Sequence, residues 1–169
     1  EWRAASDKAT KPVTDPATED QLGTIASATE SDIDAALAAA QRGFEVWRKT
    51  GTWERAAIIR KAADLIRARV NEIAVAMSLE TGKPLAEAKG ETGAAADQFE
   101  WYSEETKRIY GQIIGSRTHD SRMAVIMQPV GVVAAFSAWN FPALLPARKI
   151  AAALGAGCSI IIKPAGETP

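Results

Sequence analysis

The amino-acid sequence predicts an α/β fold in which helices come first, a β-hairpin follows, and a parallel sheet begins towards the end. Three observations lead to this prediction. Apolar residues recur at steps of three and four over much of residues 31–108, a polar turn separates two β-rich runs within residues 111–128, and two unbroken apolar runs flank one more helix after residue 129. Amphipathic helices and strands buried on both faces of a parallel sheet produce these patterns.

Length, composition and charge exclude several classes of protein. The chain has 169 residues, of which 47% are hydrophobic and 24% charged, so we expect one globular domain or part of one. No apolar run is long enough to cross a bilayer. Twenty basic residues against 21 acidic ones give a net charge of -1, which argues against nucleic acid or a membrane surface as a partner. The single cysteine excludes an internal disulfide and predicts a reducing compartment, with the cytoplasm as the expected location.

The first half of the chain is predicted to be mainly helical. Residues 11–19, with two prolines, are predicted to form a turn or loop, and residues 22–25 a short strand. Ser31 is the expected N-cap of a first helix that ends near Trp47. A single second helix is predicted from Thr52 to the Gly82–Pro84 segment, since its apolar stripe is uninterrupted.

A third helix is predicted over residues 85–108, followed by a hairpin with strands at 112–114 and 123–128. The hairpin has no evident partner within the chain. Because two strands alone are marginal in water, we expect it to pair with another subunit or another domain. His119 lies in its polar turn, where a solvated side chain is a better interpretation than a ligand or a base.

The last part of the sequence predicts a β-α-β unit with parallel strands and a right-handed crossover. Its expected strands are residues 130–136 and 158–162, and its helix covers 142–154. Ligands of open parallel sheets bind beyond the carboxyl ends of the strands. Two polar segments follow these ends, namely Ser137-Ala138-Trp139-Asn140 and Lys163-Pro164-Ala165-Gly166. With no Gly-x-Gly-x-x-Gly motif after either strand, spacing alone predicts a nucleotide-sized ligand, and we expect no metal site.

Several motifs along the chain carry a resemblance to a known family when they are taken together. They are Thr81-Gly82-Lys83-Pro84, Glu87-Ala88, Lys107-Arg108-Ile109-Tyr110-Gly111, Pro129-Val130-Gly131, Trp139-Asn140-Phe141-Pro142, Lys149, Gly157-Cys158, Lys163-Pro164 and Glu167-Thr168-Pro169. Their order and spacing resemble the aldehyde dehydrogenase superfamily from about residue 13 onwards. The implied fold is the N-terminal part of the aldehyde dehydrogenase fold. It divides the chain into a helical part of the cofactor-binding domain (1–110), an oligomerisation hairpin (111–128) and the start of a Rossmann-like NAD(P)-binding domain (129–169), with the catalytic domain absent.

Within that superfamily the chain is most similar to succinate-semialdehyde dehydrogenases. The run from Lys107 to Gly111 is typical of that group, and Arg148 stands where an arginine of the group helps to bind the carboxylate of the substrate. A guanidinium can bind a carboxylate through two hydrogen bonds. The alternative is that Arg148, beside Lys149, serves only solubility. The implied partners are a small semialdehyde acid and further copies of the chain, as a homodimer or homotetramer joined by the hairpin.

The resemblance also implies a covalent mechanism and the roles of individual residues. A thiolate attacks the aldehyde, an oxyanion donor stabilises the thiohemiacetal, hydride passes to NAD(P), and an activated water releases the acid. Asn140 matches the oxyanion donor, and its other expected role, forming a tight turn and capping the next helix, is compatible with this one. Trp139 matches a residue that lines the passage for cofactor and substrate, and Lys149 a lysine near the active site.

The cofactor is predicted to be NADP or NAD, bound by the two segments 137–140 and 163–166. Lys163 matches the lysine that binds the adenosine ribose. Three residues later, NAD-preferring members commonly have a glutamate that repels the 2′-phosphate, whereas this chain has Gly166. We therefore expect NADP to be accepted at least as well as NAD, unless the neighbouring Glu167 takes the place of that glutamate.

Cys158 is predicted to be structural, because it opens an apolar strand where a thiol is inert. The nucleophile and the general base are therefore expected beyond residue 169, and the chain alone is expected to be an inactive N-terminal fragment. Two alternatives stay open at this point. The chain is a non-catalytic module that binds a nucleotide or a partner subunit, or it belongs to an aldehyde dehydrogenase of different aldehyde specificity.

Overall fold

The computed structural model describes residues 3–169, which begin with a two-stranded antiparallel sheet. Strand β1 (Thr10–Thr14) pairs with β2 (Gln21–Ala26), and the register shifts between Val13 and Thr14. The prediction of β2 is confirmed, but the prediction of a loop over 11–19 is wrong for its first residues. Pro12 suggested a turn, yet it lies in a strand with a neighbour on one side only, where the missing N–H costs no ladder bond. Residues 1 and 2, the start of the predicted helical part, lie outside the described residues.

Helix α1 (Glu30–Trp47) begins one residue before the predicted N-cap. Thr29, not Ser31, is the cap: Thr29 Oγ1 accepts a hydrogen bond from the backbone N–H of Asp32, and the Asp32 carboxylate accepts one from the N–H of Thr29. This reciprocal capping box satisfies two free donors at once, which a lone serine hydroxyl cannot do. At the other end of the helix, the indole N–H of Trp47 donates to the carbonyl oxygen of Leu154 at 2.9 Å.

The predicted single second helix is two helices, α2 (Thr52–Ala68) and α3 (Val70–Thr81). The chain leaves helical geometry at Arg69, where φ is -108° and ψ is 17°. The apolar stripe continues at helical spacing across this point, so periodicity carried no sign of the break. Gly82, with φ of 70°, ends α3 in the left-handed conformation that glycine adopts without strain, as the sequence predicted.

Helix α4 (Leu85–Glu105), followed by a short 3₁₀ turn (Thr106–Arg108), packs against α2, α3 and the later helix α5 (Leu144–Gly155). Small residues fill these contacts, because alanine lets helix backbones approach closely. The fully or almost fully buried alanines of these helices are Ala56, Ala63, Ala74, Ala88, Ala95, Ala96, Ala147 and Ala151. The predicted stripe residues Phe99 and Tyr102 are only half-buried. The core of this region is therefore a layer of alanines rather than of aromatic rings.

The hairpin consists of β3 (Gln112–Ile114) and β4 (Met123–Val125), which pair only with each other. Apolar side chains in the hairpin and next to it lie in solvent: Ile113 of β3 is 82% exposed, and Ile126, the residue after β4, is 70% exposed. The predicted second strand, residues 123–128, is longer than the three residues that pair. The domain boundaries at residues 110 and 128 stay a prediction.

The β-α-β unit consists of β5 (Val132–Phe136), α5 and β6 (Ser159–Lys163). The two strands are parallel, as predicted, with Val132 opposite Ser159 and Phe136 opposite Lys163. The expectation that both faces of these strands are buried is wrong within residues 3–169, since Phe136 is 69% exposed. Helices cover only part of a sheet that has two strands here. No helix in the described part of the chain has the length and apolarity needed to cross a membrane.

Candidate functional site

The carboxyl ends of β5 and β6 lie side by side and carry the two predicted site segments. Phe136 pairs with Lys163, and the N–H of Ser137 donates to the carbonyl oxygen of Lys163 at 3.2 Å. The structure thus brings residues 137–140 and 163–166 to one edge of the sheet. At such an edge a parallel sheet binds its ligands.

Three features at this edge bear on ligand binding: the Lys163 ammonium and the space at Gly166 are open, whereas the Ser137 hydroxyl is buried. The Ser137 hydroxyl is buried and has no hydrogen-bond partner among residues 3–169. The exposed Lys163 ammonium donates only to the carbonyl oxygen of its neighbour Pro164, at 2.7 Å. A Cβ atom added at Gly166 would meet nothing within 4 Å. An exposed cation beside open space fits the ribose and phosphate groups of a dinucleotide, and the buried Ser137 hydroxyl lies next to them without a partner among the described residues.

The segment after Ser137 carries two exposed side chains with different chemistry. Trp139 is 57% exposed, and Asn140 is exposed as well. Neither side chain is hydrogen-bonded to another described residue, so the Asn140 amide keeps both N–H donors free. The expected capping role of the Asn140 side chain is absent, because a different residue caps the helix that follows.

That residue is Glu91, on helix α4. Its Oε1 accepts hydrogen bonds from the N–H groups of Ala143 and Leu144, at 2.9 and 3.1 Å, where α5 begins. Its Oε2 forms an ion pair with Lys83 Nζ. Lys83 Nζ also donates to the carbonyl oxygen of Asn140 at 3.0 Å. Lys83 and Glu91, which are both distant from Asn140 in sequence, therefore fix the backbone around it.

Helix α5 carries the two basic residues that the sequence singled out. Lys149 Nζ donates to the carbonyl oxygen of Phe136 and so ties the helix to the end of β5. Arg148 is exposed and forms no ion pair with any residue from 3 to 169. Its guanidinium is therefore available to an anionic ligand, whereas Lys149 acts within the fold.

A cleft of about 640 Å³ lies behind the same turn, between α3 and the end of the described chain. Its lining includes Met77, Glu80, Ala143 and Thr168. Burial raises the pKa of the Glu80 carboxyl, and the Thr168 hydroxyl is buried without a partner among the described residues. Pro142 and Ala143, in the turn before α5, line this cleft as well.

Two other residues with reactive side chains lie away from the edge. Cys158 is 3% exposed and precedes β6, at the end opposite to Lys163. His119 is exposed in the hairpin turn. Among the described residues, no group of three or more histidine, cysteine, aspartate or glutamate side chains could hold a metal ion.

Comparison with known proteins identifies the family. Residues 2–169 match the aldehyde dehydrogenase family. The chain belongs to that family. Within it, the chain is 45% identical over all its 169 residues to the NADP(+)-dependent succinate-semialdehyde dehydrogenase of Escherichia coli, and spans 35% of that protein's length. It is 44% identical to a 4-(hydroxymethyl)benzenesulfonate dehydrogenase of Comamonas testosteroni, and spans 36% of it.

Solved structures of aldehyde dehydrogenases share this fold. The crystal structure of succinate-semialdehyde dehydrogenase from Burkholderia pseudomallei superposes with a TM-score of 0.98, at 45% identity. The match covers 100% of this chain and 35% of that one. The chain therefore spans about a third of the length of the aldehyde dehydrogenases that it matches, and its fold is the N-terminal part of theirs.

Sequence reasoning missed Glu91 and gave Lys83 no role. The signal for Glu91 was present, since a glutamate at that place interrupts a face of small residues that is otherwise buried, with Ala88, Thr92 and Ala95. A charge in the buried face of a helix requires a partner. Nothing in the sequence indicated that the partner was a lysine eight residues earlier or the backbone 52 residues later.

Proposed function

We propose that the protein containing this chain oxidises an aldehyde to a carboxylic acid with NAD(P), and that this chain supplies an oxyanion donor and part of a cofactor site. The observation that carries the proposal is the free Asn140 amide, fixed by its backbone at the edge of a parallel sheet in a member of the aldehyde dehydrogenase family. When bound, the cofactor would supply the hydride acceptor. The nucleophilic cysteine is proposed to lie outside residues 1–169, because Cys158 is buried.

Asn140 is proposed to donate a hydrogen bond from its side-chain amide to the oxyanion that forms when the aldehyde is attacked. One donor of this kind contributes on the order of 3 kcal/mol to lowering the barrier. We expect Asn140→Ala in the full-length protein to lower kcat by about 10²- to 10³-fold, with KM for the aldehyde little changed, because the bond forms only in the transition state. Steady-state kinetics with Asn140→Ala and Ser116→Ala, a control in the distant hairpin turn, test this role. Equal activity of both variants and wild type would refute it.

The cofactor site is proposed to include Ser137, Lys163 and Gly166, lined by Ala138, Trp139, Asn140, Pro164 and Ala165. Support comes from the exposed ammonium of Lys163 and the open space at Gly166, beside the Ser137 hydroxyl, which has no partner among residues 3–169. Lys163 would bind the adenosine ribose, and the absence of an acid at 166 leaves room for a 2′-phosphate. NADP is therefore the proposed cofactor, in keeping with the NADP(+)-dependent relative. A large preference of the full-length protein for NAD in kcat/KM would contradict this.

The substrate is proposed to be succinic semialdehyde or a similar aldehyde with an acidic group. The exposed, unpaired Arg148 supports this, since its guanidinium can bind a carboxylate through two hydrogen bonds. The names of two relatives also describe compounds that carry an acidic group, a succinate semialdehyde and a benzenesulfonate.

Arg148→Ala should raise KM for succinic semialdehyde by about tenfold or more, because a lost charge-assisted hydrogen bond costs ~1.5–3 kcal/mol. KM for butanal, a neutral aldehyde of the same length, should not change. Kinetics of wild type and variant with both aldehydes measure the difference. Equal changes for the two substrates would show that Arg148 does not bind the acid group.

The hairpin of β3 and β4 is proposed to join copies of the protein in a homodimer or homotetramer. Its exposed isoleucines and the lack of a further strand beside it within residues 3–169 support this proposal. The 169-residue chain alone is expected to oxidise no aldehyde, which an assay of the purified chain would test.

A further inference from the structure

The segment that presents Asn140 is held by a side chain of helix α4, which is distant from it in sequence. The carboxylate of Glu91, on α4, accepts the N–H groups of Ala143 and Leu144 at 2.9 and 3.1 Å. These donors are the N-cap residue and the first residue of α5, where no helical carbonyl is available to them. An anion at this end of a helix is also stabilised by the helix dipole. Glu91 thus sets where α5 begins, and with it where residues 140–143 run.

Lys83 fixes the same segment from its other side. Lys83 Nζ pairs with Glu91 Oε2, donates to the carbonyl oxygen of Asn140 at 3.0 Å and lies 4.5 Å from the ring centroid of Phe141. The side chains of Lys83 and Glu91 are only 13% and 3% exposed. Backbone atoms of Asn140 and, three residues later, of Ala143 are therefore both bound by one buried ion pair.

A tight turn after α3 sets the position of Lys83. Gly82 has a φ of 70°, which brings Lys83 back towards the helix end. The Ser78 hydroxyl donates to the carbonyl oxygen of Lys83 at 2.6 Å, and the N–H of Lys83 donates to Thr81 Oγ1 at 3.1 Å. This is the Thr81-Gly82-Lys83-Pro84 motif, which the proposed function leaves without a role.

We propose that Lys83 and Glu91 are positioning residues, whose buried ion pair fixes the turn that presents the Asn140 amide to the reacting aldehyde. A buried ion pair adds little to stability compared with apolar residues of similar size. This ion pair does bind the N–H groups of Ala143 and Leu144 and the carbonyl oxygen of Asn140, which apolar residues would leave unpaired. Since a misplacement of about 1 Å can lower a rate by about 10²-fold, fixing this turn has a direct effect on turnover. The inference rests on the proposed role of Asn140.

Amide hydrogen exchange tests the anchor without any substrate. In the full-length protein, Glu91→Ala should speed exchange at the amides of Ala143 and Leu144 by about tenfold or more, because they lose their acceptor. Exchange in the last turns of α5 should stay as in wild type. Glu87→Gln and Lys89→Met, exposed on the same helix, serve as controls. Unchanged exchange at residues 143 and 144 would overturn the proposal.

Kinetics test whether the anchor acts through Asn140. The double variant Lys83→Met/Glu91→Leu removes both charges together, so no unpaired charge is left buried, and it also removes the acceptor of the Ala143 and Leu144 N–H groups. It is the variant to use if single substitutions fail to fold. It should lower kcat by about tenfold while KM for the aldehyde stays within about twofold. In an Asn140→Ala background the same double substitution should lower kcat by less than about twofold, because the donor it positions is already gone.

A loss of the same factor in both backgrounds would overturn the proposal, as would no loss in either. These results are separable from a failure of the proposed function. If the wild-type protein oxidises no aldehyde, the proposed function fails, and the exchange measurement still decides whether Lys83 and Glu91 anchor the turn.

Discussion

Gly166 leaves open space three residues after Lys163, at the edge that is proposed to bind the cofactor. Because a Cβ added there meets nothing within 4 Å, a larger side chain fits without moving the backbone. Gly166→Glu should lower kcat/KM for NADP by about tenfold or more, since a carboxylate repels the 2′-phosphate, and should leave or raise the value for NAD. The ratio of the two kcat/KM values measures the switch. Gly166→Gln, similar in size but uncharged, is the control, and an equal effect of both substitutions would rule out charge repulsion.

Asp32 gives the N-terminus of α1 a defined response to acid. Hydrogen bonds from the backbone of Thr29 and then of Ser6 lower the pKa of its carboxyl from 3.8 to about 2. A lowered pKa in the folded state stabilises the protein above the unfolded value, and this stabilisation is lost as the pH falls from about 4 towards 2.

Asp32→Asn should therefore lower the thermal midpoint at neutral pH and have a smaller effect near pH 2, because the wild-type carboxylate is then protonated. Differential scanning fluorimetry across this range measures the difference. Asp34→Asn, on the same helix, provides the control. A difference between wild type and Asp32→Asn that stays constant with pH would show that the capping carboxylate does not titrate as described.

At the scale of the elements, the pairing of the two hairpin strands depends on Gly111 at the base of the hairpin. A Cβ at Gly111 would overlap the carbonyl oxygen of Val125, so the strand β4 lies against bare backbone there. Gly111→Ala should push the two strands apart and destabilise the hairpin by about 1–3 kcal/mol, the usual cost of overpacking. Gly115→Ala, where a Cβ meets nothing within 4 Å, should have little effect. Chemical denaturation of the two variants compares them, and equal stability would contradict the predicted overlap.

Most elements could be predicted from the sequence, because the spacing of apolar residues within each one is typical of a helix or of a strand. The helices ending at Trp47 and Gly82, the hairpin and the parallel strand pair all follow from local patterns. The break at Arg69 could not be predicted, since steps of three and four continue through it. Thr29 as the N-cap was predictable from the spacing of Thr29 and Asp32, but Ser31 offered an equally good hydroxyl.

The candidate site was likewise predictable in one part and not in another. Residues 137–140 and 163–166 follow two strands, so their meeting at one edge was predictable from topology. The anchor of Lys83 and Glu91 was not, because it depends on how α4 packs against α5. Contacts between elements far apart in sequence are set by packing, which no local pattern records.

On the scale of the whole molecule, the hairpin exposes the apolar surface that a partner copy would cover. Ile113 is 82% exposed and Ile126 70% exposed. If the hairpin joins copies as proposed, Ile113→Asp should yield smaller species than wild type, because a charge at the centre of an apolar interface is left without solvent or partner. Sedimentation velocity of the full-length protein measures this. His119→Asp, in the exposed turn, is the control, and an unchanged assembly in Ile113→Asp would exclude the hairpin as the contact.

The bond from the Trp47 indole to the carbonyl oxygen of Leu154 joins residues 107 positions apart. Helix α1 also lies against β5 and β6. During synthesis, residue 47 leaves the ribosome well before residue 154, and chains grow by about 5–20 residues per second. The first helix therefore spends several seconds without the surface that covers Trp47, and its apolar face is open to chaperones or to other nascent chains during that interval.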